Sequence, residues 1–393
     1  MIDKYDVAII GAGIPGLYCA RALSSKGLKV IIFDKSKIPG NPNYSTAGIP
    51  KYVVDLFNIP QKAINTEVDV MIYATRNRVC RKKADDVFGY VLDFKKTKEI
   101  MAKEVEKFGG VVRWDTNIDN VHRDLDDYSL FSNDVEYKSK YVVDASGVSS
   151  QIGENMGIEE NIKEPVSVGE EYIIYTKSKA LDIYKRSMSL ILDYVLCPYG
   201  YAWIFDNGND TFKIGVSEFF INPKHNLPSI DDRLEAFLKW LLKDDVYKIV
   251  EKHGGGKLIT DKYLQLYKDR MLGIGDSISS LNPFWGEGIR QGLYSAEYAV
   301  TAIVQDYHDG NGLSGYARQI KKYHDLNWKI SMFISKQIYT RPSQRVFEMM
   351  VDYMDRYLTA EEVVSIGFYY SFKTLFFKRP LKFFMMALKQ FFQ

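Results

Sequence analysis

Cysteine is scarce and scattered in this chain. Cys19, Cys80 and Cys197 are the only three in 393 residues, and no two form a CxxC pair. That excludes a disulfide framework and a thiolate zinc site, and it suits a reducing, cytoplasmic compartment. Net charge is equally scarce: 52 Lys and Arg stand against 50 Asp and Glu, a formal +2, so the surface as a whole is not built to hold a polyanion such as nucleic acid. No apolar run approaches the roughly 18 residues that a membrane-crossing helix needs. Residues 1–4 lead straight into an apolar run, without the layout of a signal peptide. A GxSxG nucleophile elbow is also missing, so His253-Gly254-Gly255-Gly256 is not read as an esterase oxyanion segment but as a loop before a strand. The histidines, His122, His225, His253, His308 and His324, show no ligand spacing and read as surface or helix residues, so no metal is predicted.

What the chain does have is 46% apolar residues, 14% aromatics and length for two or three domains at about 150 residues each. Residues 7–10 form an unbroken apolar run, the mark of a parallel strand buried on both faces. They are followed at once by Gly11, Ala12, Gly13, Ile14, Pro15 and Gly16, a GxGxxG turn opening a helix. Gly11 permits the tight turn, Gly13 lets the backbone approach a pyrophosphate, and Gly16 lets helix and strand pack closely. The helix N-terminus offers N–H groups and its positive dipole end to phosphates. A second strand over residues 30–33 ends at Asp34, placed for a ribose hydroxyl pair, with Lys35 beside it.

This unit alone does not separate FAD from NAD. The discriminating stretch is residues 270–276, a strand ending in Gly275-Asp276, followed by Asn282-Pro283-Phe284-Trp285-Gly286-Glu287-Gly288-Ile289 and a helical stretch from Arg290 to Gln305. A second glycine-opened helix suits a flavin. Asp276 would hold the ribityl chain, and the helix start at Gly286, Gly288 and Ile289 would stabilise negative charge on the flavin ring.

These blocks, together with Asp144-Ala145-Ser146-Gly147, resemble the FAD-dependent geranylgeranyl reductase family, within the glutathione-reductase-like, para-hydroxybenzoate-hydroxylase type of flavoprotein. The resemblance spans residues 1 to about 330. Residues 198–205 carry a further match: Pro198, Tyr199, Tyr201, Trp203 and Phe205 resemble the family's substrate-pocket pattern Pro-x-x-Tyr-x-Trp-x-Phe, with Asp206 where a proline commonly follows. Strand alternation puts Tyr201, Trp203 and Phe205 on one face, a wall suited to an apolar chain or to a plain sheet core. The resemblance implies the former, with Tyr201 and Trp203 nearest the chemistry.

There are departures from the family. Ser146 precedes Gly147 where an Asp-Gly pair often stands, so NAD(P)H is not secured as the electron donor, and ferredoxin or a reduced flavin remain open. Phe94 stands where an arginine commonly faces the flavin or its phosphates. The loop 43–48 lacks the cysteine that some members carry, and Cys197 reads as a small buried residue.

The expected architecture is α/β, α+β overall. A discontinuous Rossmann-type FAD-binding domain (1–160 and 268–330) frames an inserted antiparallel-sheet substrate domain (161–267), and a helical region (331–393) follows. Within the insert, residues 172–175, 189–196 and 212–219 have strand composition, and residues 231–250 place Leu234, Phe237, Leu238, Leu241 and Leu242 on one helical face. Thr359-Ala360-Glu361-Glu362 reads as a capping box and Pro380 suits the first turn of a last helix. Residues 367–393 hold Lys373, Lys378, Arg379, Lys382 and Lys389 and no acid, beside a broad aromatic face. That pattern fits either a helix lying on the inner face of an anionic membrane or one packed on protein.

The expected activity is FAD-dependent saturation of C=C bonds in geranylgeranyl chains, of an archaeal-type ether lipid or a prenylated quinone. The alternatives are a flavin monooxygenase or halogenase of the same fold, and a prenyl-lipid carrier without redox chemistry.

Overall fold

The computed structural model describes residues 4–43, 45–149, 167–222, 225–257, 266–324 and 326–372. The apolar amino-terminal run is the strand Lys4–Ile10. It pairs in parallel with Val30–Phe33 on one side and Val135–Asp144 on the other. Met271–Gly273 extends the sheet in parallel beyond Val135–Asp144, and Val111–Arg113 extends it beyond Val30–Phe33. Parallel strands need cover on both faces. Val7, Ile9, Val30, Ile32 and Val143 pack under the helices Ile14–Ser25, Phe94–Lys107 and Ile289–Asp309. Ala8, Ile10, Ile31 and Phe33 pack instead under the hairpin Asn120–Asp124 and Asp127–Ser132.

A second sheet of seven strands runs in the order Lys248–Lys257, Ser167–Tyr175, Thr211–Phe219, Ala202–Gly208, Ser187–Ile191, Val70–Ala74 and Val79–Lys83. The expected segments 172–175 and 212–219 fall in it, whereas the one expected over 189–196 is a strand only as far as Ile191, after which the chain turns. The sheet is mixed rather than purely antiparallel, because Ser187–Ile191 runs parallel to Val70–Ala74. Two strands also come from well before residue 161. Val70–Ala74 is buried throughout, so it requires a neighbour on each edge and serves as an inner strand of this sheet.

The helix expected over 231–250 ends earlier, spanning Ile230–Leu242. Its five apolar residues cover one face of the second sheet as read, but Lys243 adopts φ +54° and turns the chain back into the edge strand Lys248–Lys257. His253-Gly254-Gly255-Gly256 lies inside that strand and is not a loop before one. The side chain of His253 is 5% exposed, which also corrects its reading as a surface residue, and His324 is buried as well.

The other face of the second sheet packs against the carboxy-terminal helices Leu326–Thr340, Gln344–Tyr357 and Ala360–Tyr369. Thr359 makes the expected capping box with Glu362. Phe368, Tyr370 and Phe372 are buried, so the first part of the basic 367–393 segment belongs to the core. Its remainder, with Pro380, Lys382 and Lys389, lies outside the described residues. No helix among the described residues is long and apolar enough to cross a membrane.

Candidate functional site

The glycine turn has the close approaches its sequence calls for. Gly11 sits at φ +104°, and a side chain there would overlap the Ala145 carbonyl of the neighbouring strand end. A side chain at Gly16 would overlap the Gly11 carbonyl, so helix and strand pack backbone to backbone. The front of Gly13 is open: a Cβ there would meet only Pro15 Cδ, at 3.8 Å. Pro15 stands in the first turn of the helix that opens at Ile14. Asp34 Oδ2 accepts from the Ala12 N–H at 2.8 Å and Oδ1 from the Ser36 N–H at 2.8 Å, which aims the carboxylate at the mouth of the turn.

A cation faces this carboxylate that sequence reading did not identify. Lys98 Nζ lies 3.7 Å from Asp34 Oδ2 with its side chain only 7% exposed. Phe94, flagged for lacking the arginine of related flavoproteins, opens the same helix and sits one turn before Lys98, whose ammonium lies 5.7 Å from its ring. Burial lowers the Lys98 pKa, and the charge of Asp34 opposes that shift.

The two other blocks meet at the adjoining strand ends. Asp144 Oδ1 accepts from both the N–H and the hydroxyl of Ser146, at 2.9 and 2.6 Å, so Ser146 completes this turn without an Asp-Gly pair. Gly275, at φ +67°, donates its N–H to Ser295 Oγ at 2.9 Å. Asp276 follows, beside Gly288 at the start of the helix Ile289–Asp309.

From here a cavity of about 670 Å³ opens. Its nucleotide side is formed by Lys35, Ser146 to Val148, Asp276 and Gly286 to Ile289; its far wall includes Tyr201, Trp203, Phe205, Phe219, Met71 and Met188. The helix Ala360–Tyr369 closes it with Gly367 and Phe368, and Tyr370 stands next to them. Alternation from Tyr201, just before the strand, through Trp203 and Phe205 within Ala202–Gly208 thus brings three motif aromatics to the cavity. Pro198 and Tyr199 precede that strand and are not in its wall; Tyr199 stacks on His225 at 3.6 Å instead. Asp206, the departure from proline, accepts from the N–H groups of Arg186 and Gly208, pinning the strand end.

Two polar groups on the nucleotide side have no hydrogen-bond partner among the described residues: the buried Trp285 Nε1–H and Glu287 Oε1. With the open fronts of Gly13 and of Gly147, where a Cβ would meet nothing within 4 Å, they leave room and one unanswered donor where a flavin would lie. The residues present fit FAD.

Tyr201 Oη donates to the Trp285 carbonyl, and burial raises its pKa, so it holds the Trp285-Gly286 turn in place and is a weak acid. Trp203 reaches further. Its indole lies across Gly215 of the adjacent strand, where any side chain would overlap the ring, and its Nε1 donates to Glu171 Oε2 at 2.5 Å. Glu171 also accepts from Thr46 Oγ1 at 2.6 Å, and Lys213 Nζ donates to the carbonyls of Thr46 at 2.8 Å and Leu92 at 3.0 Å. Burial works to raise the Glu171 pKa, but the hydrogen bonds and the charges of Lys213 and His253 outweigh it and hold the carboxyl below the usual range. Burial lowers Lys213. These two hold Thr46, one of the cavity-lining residues Ser45 to Gly48, without a thiol. Cys197 is fully buried, donates to the carbonyls of Ile191 and Asp193, and burial pushes its thiol up to about 12, which suits a packing role.

Sequence reading missed Glu171, Lys213 and Lys98. Glu171 lies in a strand whose neighbours Glu170 and Tyr172 give no motif, and its partners come from positions 46, 203, 213 and 253.

Residues 6–60 match the FAD dependent oxidoreductase family. The chain is similar to the digeranylgeranylglycerophospholipid reductase of Haloferax volcanii, with 29% identity over 377 residues covering 90% of each protein. The enzyme of the same name from Methanococcus vannielii is 27% identical over 345 residues, covering 83% of this chain and 86% of that protein. Among solved structures, a geranylgeranyl bacteriochlorophyll reductase-like protein of Thermoplasma acidophilum superposes with a TM-score of 0.84 at 19% identity, covering 97% of this chain and 98% of that one. The p-nitrophenol 4-monooxygenase of Pseudomonas putida shares the fold at a TM-score of 0.73 and 16% identity, covering 92% and 97%. The fold, the two glycine-opened helices and these likenesses agree: the chain is an FAD-dependent oxidoreductase, and it resembles the geranylgeranyl reductase family.

Proposed function

We propose that the protein saturates C=C bonds in the geranylgeranyl chains of an archaeal-type ether lipid, the digeranylgeranylglycerophospholipid named for its relatives, with a prenylated quinone as the less favoured substrate. The observation that carries this reading is the cavity. It joins a flavin-fitting nucleotide side to a wall of Tyr201, Trp203, Phe205, Phe219, Met71 and Met188, apolar surface that an isoprenoid would bury at about 25 cal/mol per Å².

FAD, when bound, supplies the hydride. In this reading Gly11, Ala12, Gly13, Ile14, Pro15 and Gly16 take the pyrophosphate, Asp34 and Lys35 the adenosine half, and Gly275 and Asp276 the ribityl chain. Gly286, Gly288 and Ile289 present the positive helix end to negative charge on the ring. Tyr201 and Trp203 keep water out and set the chain's position; an isolated trisubstituted alkene is a poor acceptor and needs both.

Anaerobic mixing of dithionite-reduced holoprotein with a geranylgeranyl lipid tests the reading. Each reduced bond adds the mass of one dihydrogen, and an unchanged lipid mass sinks it. Oxygen uptake in step with substrate would favour the monooxygenase, and purified protein without yellow absorbance the carrier. The electron donor, whether NAD(P)H, ferredoxin or reduced flavin, is read by which of them bleaches the bound flavin. Contact with the inner face of the membrane would involve residues after 372, since Phe368, Tyr370 and Phe372 are buried.

A further inference from the structure

Saturating an alkene consumes a hydride and a proton, and the proton must be delivered within a cavity whose far wall is largely apolar. Tyr201 is poorly suited to supply it, since its hydroxyl is committed to the Trp285 carbonyl. Across the second sheet, four residues stand in one row: His253 opposite Glu171, Glu171 opposite Gly215, and Gly215 opposite Trp203. In this row all side chains project to one face, the face that lines the cavity.

His253 occupies the outer end. Its Nε2 lies 2.9 Å from Oε1 of the buried Glu171, and its Nδ1 lies 3.3 Å from Oε1 of Glu251, whose side chain is 42% exposed. The imidazole itself is 5% exposed, and neither ring nitrogen makes an aligned hydrogen bond. An imidazole with a carboxylate on each side, one in solvent and one in the cavity wall, can take a proton on one nitrogen and release another from the second. Glu171 is held ionised and has its other oxygen occupied by Trp203 and Thr46, so it orients the ring.

We propose that His253 is the proton-delivering residue of the reductase reaction, fed from solvent through Glu251 and positioned by Glu171. The inference rests on the reductase reading above. In the step, the alkene π bond breaks, one carbon takes the hydride that reduced flavin supplies, and the other takes the proton from His253 Nε2. Two C–H bonds form while the alkene π bond, the His253 Nε2–H bond and the bond that carried the hydride on the reduced flavin break; the flavin would be left oxidised, and the neutral imidazole is reprotonated from solvent along Glu251. The groups that set its pH response are Glu171 from the adjacent strand, Glu251 on its own strand, and Lys213 two strands away beside Glu171. Lys252 and Asp231, 4.0 Å apart, belong to the opposite face.

The test is His253→Gln in the holoprotein. Reduction of a geranylgeranyl lipid should slow by about a hundredfold, the scale of a lost general acid. The dependence of the rate on pH should flatten, and added imidazole should restore part of it. Flavin content and lipid affinity, read by quenching of Trp fluorescence, should stay as in the unaltered protein. A second readout needs no turnover. With five histidines in the chain, ring-¹⁵N-labelled protein gives a spectrum in which His253→Gln identifies one signal. That signal should respond to pH, and its response should be displaced in Glu251→Gln. An unaltered protein that reduces the lipid beside a His253→Gln variant of equal rate and pH profile overturns the relay alone. No reduction by the unaltered protein overturns the reductase reading. A His253 signal indifferent to pH and to Glu251→Gln overturns the relay whatever the substrate proves to be.

Discussion

Glu171 depends on the absence of a side chain on the adjacent strand. Its Oε2 receives the Trp203 indole N–H only because Gly215, between them, lets the ring lie flat over the backbone. A methyl at 215 would overlap the ring, so Gly215→Ala should push the indole off its carboxylate. The expected cost is about 1–3 kcal/mol of overpacking, read as a fall in Tm. The methyl would also come within 2.5 Å of the Glu170 carbonyl, but the part of the loss that comes from the ring should make the double variant Gly215→Ala/Trp203→Ala non-additive, and full additivity would refute the ring contact. None of this is legible in the local sequence. The motif aromatics were, because alternation in a strand is a local property, and Tyr201, Trp203 and Phe205 do share the cavity wall.

At the scale of elements, the two glycine-opened helices were legible because each announces itself in consecutive residues. Where reading failed, the cause was a break that composition does not mark. The helix from Ile230 stops at Leu242 through a left-handed Lys243, and the chain then pairs with Ser167–Tyr175 across a long separation. His253 enters a strand by that pairing. The helix Ala360–Tyr369, by contrast, carries its own start signal and closes the cavity. Thr359→Ala removes the hydroxyl that accepts from the Glu362 N–H, which should lower stability by about 1 kcal/mol. The same change should loosen Gly367 and Phe368 at the cavity mouth, seen as faster amide hydrogen exchange in 360–369 with exchange in the first sheet unchanged.

For the whole molecule, stability toward acid follows from the buried charges where the second sheet meets the segment that carries Thr46. Glu171 has a folded pKa below its unfolded value, so its contribution is present above the ordinary glutamate range and is lost as pH falls through the lowered one. The melting temperature should therefore drop on the acid side, and Glu171→Gln, which has no such proton to take up, should show a flatter slope over the same window. An identical slope in both would remove Glu171 from the acid transition.

The sequence by itself determined the nucleotide sheet, the strand-turn-helix units that suit FAD, and the aromatic face, because each rests on residues close together in the chain. It also determined the scarcity of cysteine and net charge with which the reading began. Only the tertiary structure decided that Lys98 faces Asp34, that strands from before residue 84 enter the second sheet, and that Glu171 and His253 line the cavity while Lys213 holds the Thr46 carbonyl. Those contacts join residues tens to hundreds of positions apart, and burial, not spacing, selects which charges must meet.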